Sequence, residues 1–104
     1  MERIPVVRFC GSPQKYVAQL DVTTEVLASR WGEPDITADD LGPWLTFPFA
    51  LRDGTLAALV REVENAPHPG YILTAIGRGS PRDVLAAFLR EHGLAEDTVL
   101  HVSE

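Results

Sequence analysis

Apolar positions along the chain change their period several times, and each change marks an element. Ile4, Val6, Val7 and Phe9 form a short β-branched run ending at Gly11, which predicts a strand over 3–10. Ser12-Pro13 then offers a helix N-cap and a first-turn proline. Val17, Leu20, Thr24, Leu27 and Trp31 follow three or four apart, as on one helical face. Asp21-Val22-Thr23-Thr24 interrupts that face with side chains that compete for backbone hydrogen bonds. Two readings stay open here: one bent helix over 13–31, or a strand over 15–21 and a helix over 23–31. Under either, Gly32-Glu33-Pro34 ends the helix.

Residues 33–43 read as a loop with one turn at Thr37–Leu41, where Thr37 and Asp40 have capping-box spacing. Leu45, Phe47, Phe49 and Leu51 then alternate with Trp44, Thr46, Pro48 and Ala50, the period of a strand. Pro48 lacks a ladder donor, which points to an edge strand or a bulge. After Asp53-Gly54, the spacing of Leu56, Leu59, Val60 and Val63 predicts a helix over 55–66; a hairpin through Asp53-Gly54 is the rival. Pro67-His68-Pro69-Gly70 reads as a rigid linker. Tyr71–Ile76 is a compact apolar strand, and Ser80-Pro81 starts a helix with Val84, Leu85, Phe88, Leu89 and His92 on one face and Gly93 as its stop. Val99, Leu100 and Val102 make a short last strand. Strands and helices thus mix along one domain spanning 1–104. The expected class is α/β in the α+β sense: a two-layer sandwich with a mixed sheet of about four to five strands and two to three helices. A β-meander with helices on one face is the alternative.

Composition narrows the function classes. The chain has 104 residues, 45% of them hydrophobic, which suits a globular core rather than disorder. Fifteen acidic side chains against nine basic ones give a net charge of -6. A basic footprint for nucleic acid is missing from these totals. No apolar run approaches the roughly 20 residues of a membrane helix, and the first ten residues are too charged for a signal peptide. The single cysteine, Cys10, cannot form an internal disulfide. A cytoplasmic location is therefore expected. Only Lys15 among the basic residues is Lys, an Arg bias that GC-rich bacterial genomes encode.

The acidity is concentrated. Between Trp31 and Leu51 lie Glu33, Asp35, Asp39 and Asp40 and no Lys or Arg, together with Trp31, Trp44, Phe47 and Phe49. Clustered carboxylates speed association with a basic protein, and Trp31 or Trp44 would anchor it. The competing reading is a solvated acidic loop beside a strand whose phenylalanines are core. A helix-turn-helix over 24–44 would turn Asp39 and Asp40 towards phosphates, the wrong sign for DNA. Gly77-Arg78-Gly79-Ser80-Pro81-Arg82 could hold an anion at a helix N-terminus through Arg78, Ser80 and Arg82, although it is an ordinary helix start as well. It matches neither the dinucleotide fingerprint nor the P-loop. Cys10, His68, His92 and His101 show no metal spacing, and His92 beside Gly93 suits a cation at a helix C-terminus. Asp35, Asp39 and Asp40 do not have the spacing of an EF-hand loop. No catalytic residue and no cofactor is expected.

In size, charge and texture, over all 104 residues, the chain resembles the small acidic immunity proteins of bacterial toxin systems. No diagnostic motif carries this resemblance, so no family residues transfer. It implies stoichiometric binding to a cognate toxin, with Glu33, Asp35, Asp39 and Asp40 steering. Two other classes stand beside it: a small enzyme or ligand-binding domain using the Arg78–Arg82 turn, and a regulatory or structural subunit pairing through an edge strand bearing Trp44, Phe47 and Phe49.

Overall fold

Two side chains set the helices. The Thr23 hydroxyl accepts the Val26 amide at 3.2 Å and starts α1 (Thr24–Trp31), which ends at Gly32 with φ 84°. The Ser80 hydroxyl accepts the Asp83 amide at 3.2 Å and starts α2 (Pro81–His92), with Pro81 in its first turn. Gly93, left-handed at φ 80° and ψ 24°, closes α2, and both Gly93 and Leu94 donate to the Leu89 carbonyl. The computed structural model describes residues 1–9, 13–38, 42–63, 70–77 and 79–103, and Asp39 by its backbone.

The strands are β1 (Glu2–Arg3), β2 (Lys15–Leu20), β3 (Asp35–Asp39), β4 (Gly42–Ala50), β5 (Leu56–Glu62), β6 (Tyr71–Ile76) and β7 (Val99–Val102). They form one seven-stranded sheet in the order β1-β4-β5-β6-β2-β7, with β3 also on β4. Every pairing is antiparallel, so the sheet is not mixed, and it holds more than the four to five strands expected. The α+β class stands, with two α-helices among the described residues.

Three other expectations change. Residues 3–10 do not form one strand. Only Glu2–Arg3 pair, and Val6–Phe9 wind into a 3-10 turn that lays Phe9 on the sheet. Residues 35–39 are a strand rather than a loop or turn, which also removes the second helix of a helix-turn-helix. Residues 56–62 are a strand rather than a helix; the hairpin reading through Asp53-Gly54 is the one the structure has, with the Asp53 carboxylate accepting the Thr55 amide at 2.9 Å. At 13–31 the chain takes the strand-then-helix option. The expected linker at 67–69, and the Ser12 cap, lie outside the described residues.

Alternation divides the sheet faces. Phe47, Phe49, Ala57, Leu59, Tyr71, Leu73 and Ala75 pack with Leu27 of α1 and with Val84, Leu85, Phe88 and Leu89 of α2. On the other face Ile4 and Phe9 cover Ala58. β4 is interior, flanked by β5 on one side and by β1 and β3 on the other, so it is not an edge strand. Pro48 is accommodated there without a bulge. Its carbonyl accepts from Ile4 at 3.0 Å, so its missing donor falls where β1 gives way to β3, not on the β5 ladder.

Candidate functional site

The two tryptophans of the acidic segment do not share a surface. Trp31 ends α1 and packs edge-on to Phe49 at 4.9 Å, on the helix-covered face. Trp44 stands on β4 out of phase with Leu45, Phe47 and Phe49, which puts it on the opposite face. Only one of them can belong to a given docking surface. Phe47 and Phe49 are fully buried, as the core reading expects.

Half-buried Trp31 belongs to a polar knot at the rim of the core. Its indole N–H donates to His92 Nε2 at 2.8 Å. The Arg30 guanidinium lies over the Trp31 ring at 5.2 Å and donates to the His92 carbonyl. Arg3 donates to the Trp31 carbonyl at 2.8 Å, sits 5.4 Å over the Phe47 ring and pairs with Asp35 at 3.2 Å. β1, α1, β3 and α2 are thereby tied at one point. His92 is 2% exposed, ringed by Trp31, Phe49 and Phe88, and its Nδ1 has no hydrogen-bond partner among the described residues. Burial first, and the Arg30 charge second, push its pKa down to about 4. It is therefore neutral, with its proton on Nδ1 because Nε2 accepts. This corrects the expectation of a cationic histidine serving the helix dipole. The apolar face expected over Val84, Leu85, Phe88, Leu89 and His92 is the buried one, so the spacing places His92 rightly and only its charge differs from the expectation.

Asp35, Asp39 and Trp44 lie on one hairpin. β3 and β4 pair over five consecutive positions, from Asp35 opposite Thr46 to Asp39 opposite Gly42, with no break in register. The Thr37 and Thr46 hydroxyls hydrogen-bond at 3.1 Å across them. β3 pairs with no strand on its outer side among the described residues. Ile36 is 72% exposed and Glu33 is exposed just before the strand. Half-buried Trp44 lies opposite Thr37, its indole nitrogen buried and without a hydrogen-bond partner among the described residues. The hairpin thus presents exposed backbone, one large aliphatic side chain and carboxylates. Among its described residues there is no nucleophile paired with a base. Asp40 lies outside the described residues.

The turn before α2 is built as a helix start. The Ser80 hydroxyl is engaged in capping, Arg82 is exposed, and Lys15 donates to the carbonyls of both Gly77 and Gly79. Those carbonyls, aimed at an ammonium, leave the loop poorly disposed towards an anion. Arg78, like Cys10 and His68, lies outside the described residues. A surface cavity of about 330 Å³ opens between the β4–β5 turn and α2, lined by Arg52, Asp53, Ala87, Arg90 and Glu91. Its charges are mixed, and Glu91 already accepts the Arg52 amide at 2.9 Å and the Met1 amino group at 3.1 Å. Among the described residues, no group of three His, Cys, Asp or Glu side chains could hold a metal ion. None of the helices there is long and apolar enough to cross a membrane.

No protein-family model, curated protein or solved structure matches the chain.

Proposed function

We propose that this chain is a non-catalytic binding protein that captures a basic protein partner through the β3–β4 hairpin, in the manner of an immunity protein neutralising a bacterial toxin in the cytoplasm. The observation that carries this reading is the position of β3. The segment 31–51, which holds four acidic residues and no Lys or Arg of its own, supplies β3, an outer strand on β4 that carries Asp35 (paired with Arg3) and Asp39, with Ile36 exposed between them. Carboxylates placed at a rim steer a basic partner and raise its association rate, and an exposed aliphatic side chain supplies contact area. The immunity-type role rests on small size and the charge of -6, which suit a stoichiometric blocker of a basic enzyme.

The proposed surface is the outer edge of β3, with Asp35 and Asp39 at register positions of one face and Ile36 on the other. Glu33 stands just before it, and half-buried Trp31 packs on Phe49 instead. The test is affinity purification from the native host with wild type and with a variant carrying Ala at Glu33, Asp35, Asp39 and Asp40. The association rate of the captured partner is then measured across ionic strength. The expected result is a basic partner that associates about tenfold faster or more with wild type at low salt, an advantage that shrinks as salt rises. An acidic partner, or equal rates with equal salt dependence, would contradict the reading.

A further inference from the structure

The sheet ends in β7 at one side and in β1 and β3 at the other, and β7 and β3 are built differently. β7 is protected. It is four residues long, its pairing to β2 shifts register between Gln19 and Leu20, and the Val99 amide is spent on the Glu96 carbonyl. β3 carries none of these devices. It is five residues long, pairs in unbroken register, and contains no Pro, Lys or Arg. A strand of this kind is a template for another strand.

Its sequence also says which strand. Asp35 and Asp39 stand at its two ends, with Ile36, Thr37 and Ala38 between. If two copies of β3 paired antiparallel about Thr37, Asp35 of each would lie opposite Asp39 of the other. Like charges directly opposite destabilise a strand pair, so the edge rejects a second copy of itself. A strand with basic residues four apart puts a cation opposite each aspartate, whichever way it runs. Apolar residues next to those cations fall opposite Ile36 and Ala38. Asp35 is held by Arg3 at 3.2 Å and keeps its side chain 38% exposed, so it is fixed in place yet open to a second cation.

We infer that the outer edge of β3 receives an extended segment of the basic partner as an added strand, with Lys or Arg at positions i and i+4 and apolar residues at i+1 and i+3. This rests on the basic-partner reading above and extends it to the docking mode. Main-chain hydrogen bonds to β3 supply affinity, and the two aspartates supply selectivity.

The experiment uses the whole chain and a capped heptapeptide, Thr-Lys-Val-Thr-Val-Lys-Thr. Companions carry Glu for both Lys, or N-methyl groups on one or the other alternate set of amides. An added strand bonds to β3 through only one alternate set. The lysine peptide is therefore expected to bind, and one methylated form to lose affinity about tenfold or more while the other keeps it. The Glu peptide is expected to lose binding as well. If both methylated forms bind like the parent, strand addition is overturned and the basic-partner reading stands. If the Lys and Glu peptides bind alike, the charge selection at β3 is overturned, and the basic-partner reading loses its support too. Failure of the lysine peptide to bind at millimolar concentration overturns strand addition alone, since the native partner remains testable by its own association rate.

Discussion

At the scale of single residues, His92 is where burial and charge set a measurable property. Its folded pKa is about 4, against 6.5 for an ordinary histidine. The unfolded chain therefore takes up a proton at a pH where the folded one does not. The stability this neutral histidine contributes is fully present above 6.5 and drains away as pH falls from 6.5 towards 4. The loss amounts to something on the order of 3 kcal/mol, at about 1.4 kcal/mol per pKa unit. Urea denaturation of wild type and His92→Gln is expected to give curves whose difference narrows across that window. A gap independent of pH would mean His92 does not titrate in this way. Trp31, which donates to His92 and packs on Phe49, is half-buried with its ring against the core. Trp31→Ala is expected to cost about 3 kcal/mol or more in thermal or urea unfolding, whereas an exposed anchor would cost almost nothing. Gly70 makes a sharper case. It holds φ 78°, and a Cβ there would overlap the Leu20 carbonyl oxygen. Gly70→Ala is expected to destabilise by more than the roughly 1–2 kcal/mol that a left-handed backbone alone costs an L residue, read by the same unfolding curves.

At the scale of elements, the sequence was most legible where one mechanism ruled. α2 shows its cap, first-turn proline, apolar stripe and closing glycine in the order that builds a helix. Tyr71–Ile76 is a short apolar run that needs only a strand. β5 misled because it runs through the middle of the sheet. Ala57, Ala58 and Leu59 are buried in succession, since helices cover one face and Ile4 and Phe9 cover the other. A strand buried on both faces loses its alternation, and Leu56, Leu59 and Val60 then mimic helical spacing. β3 misled for the opposite reason. Asp-Ile-Thr-Ala-Asp has little strand propensity of its own and takes its form from the β4 ladder. The first strand failed because Pro5 has no amide to give, and the chain turns into a 3-10 segment directly after it. The candidate site was legible in part for the same reasons. Its acids could be read as a cluster, but which tryptophan shares their surface depends on pairing partners that no local pattern names. The Ser80 cap offers a check on α2: Ser80→Ala is expected to lower stability by about 1 kcal/mol, and Ser80→Asp to retain it.

At the scale of the whole molecule, charge and hydrogen-bonding capacity coincide at one side of the sheet. Asp35 and Asp39 stand on β3, whose outer side is unpaired among the described residues, while β7 at the far side of the sheet is short, bulged and without Asp, Glu, Lys or Arg. A net charge of -6 spread evenly would favour solubility alone. Under the proposed reading, the two aspartates of β3, on a strand able to accept another, select the sign and the form of what binds. The most direct measurement is amide hydrogen exchange on the chain bound to the proposed basic partner captured from the native host, compared with the free chain. The account predicts slowed exchange over residues 35–39, with β7 unchanged. Protection confined to β7, or to the α2 surface, with β3 exchanging as in the free chain, would contradict it.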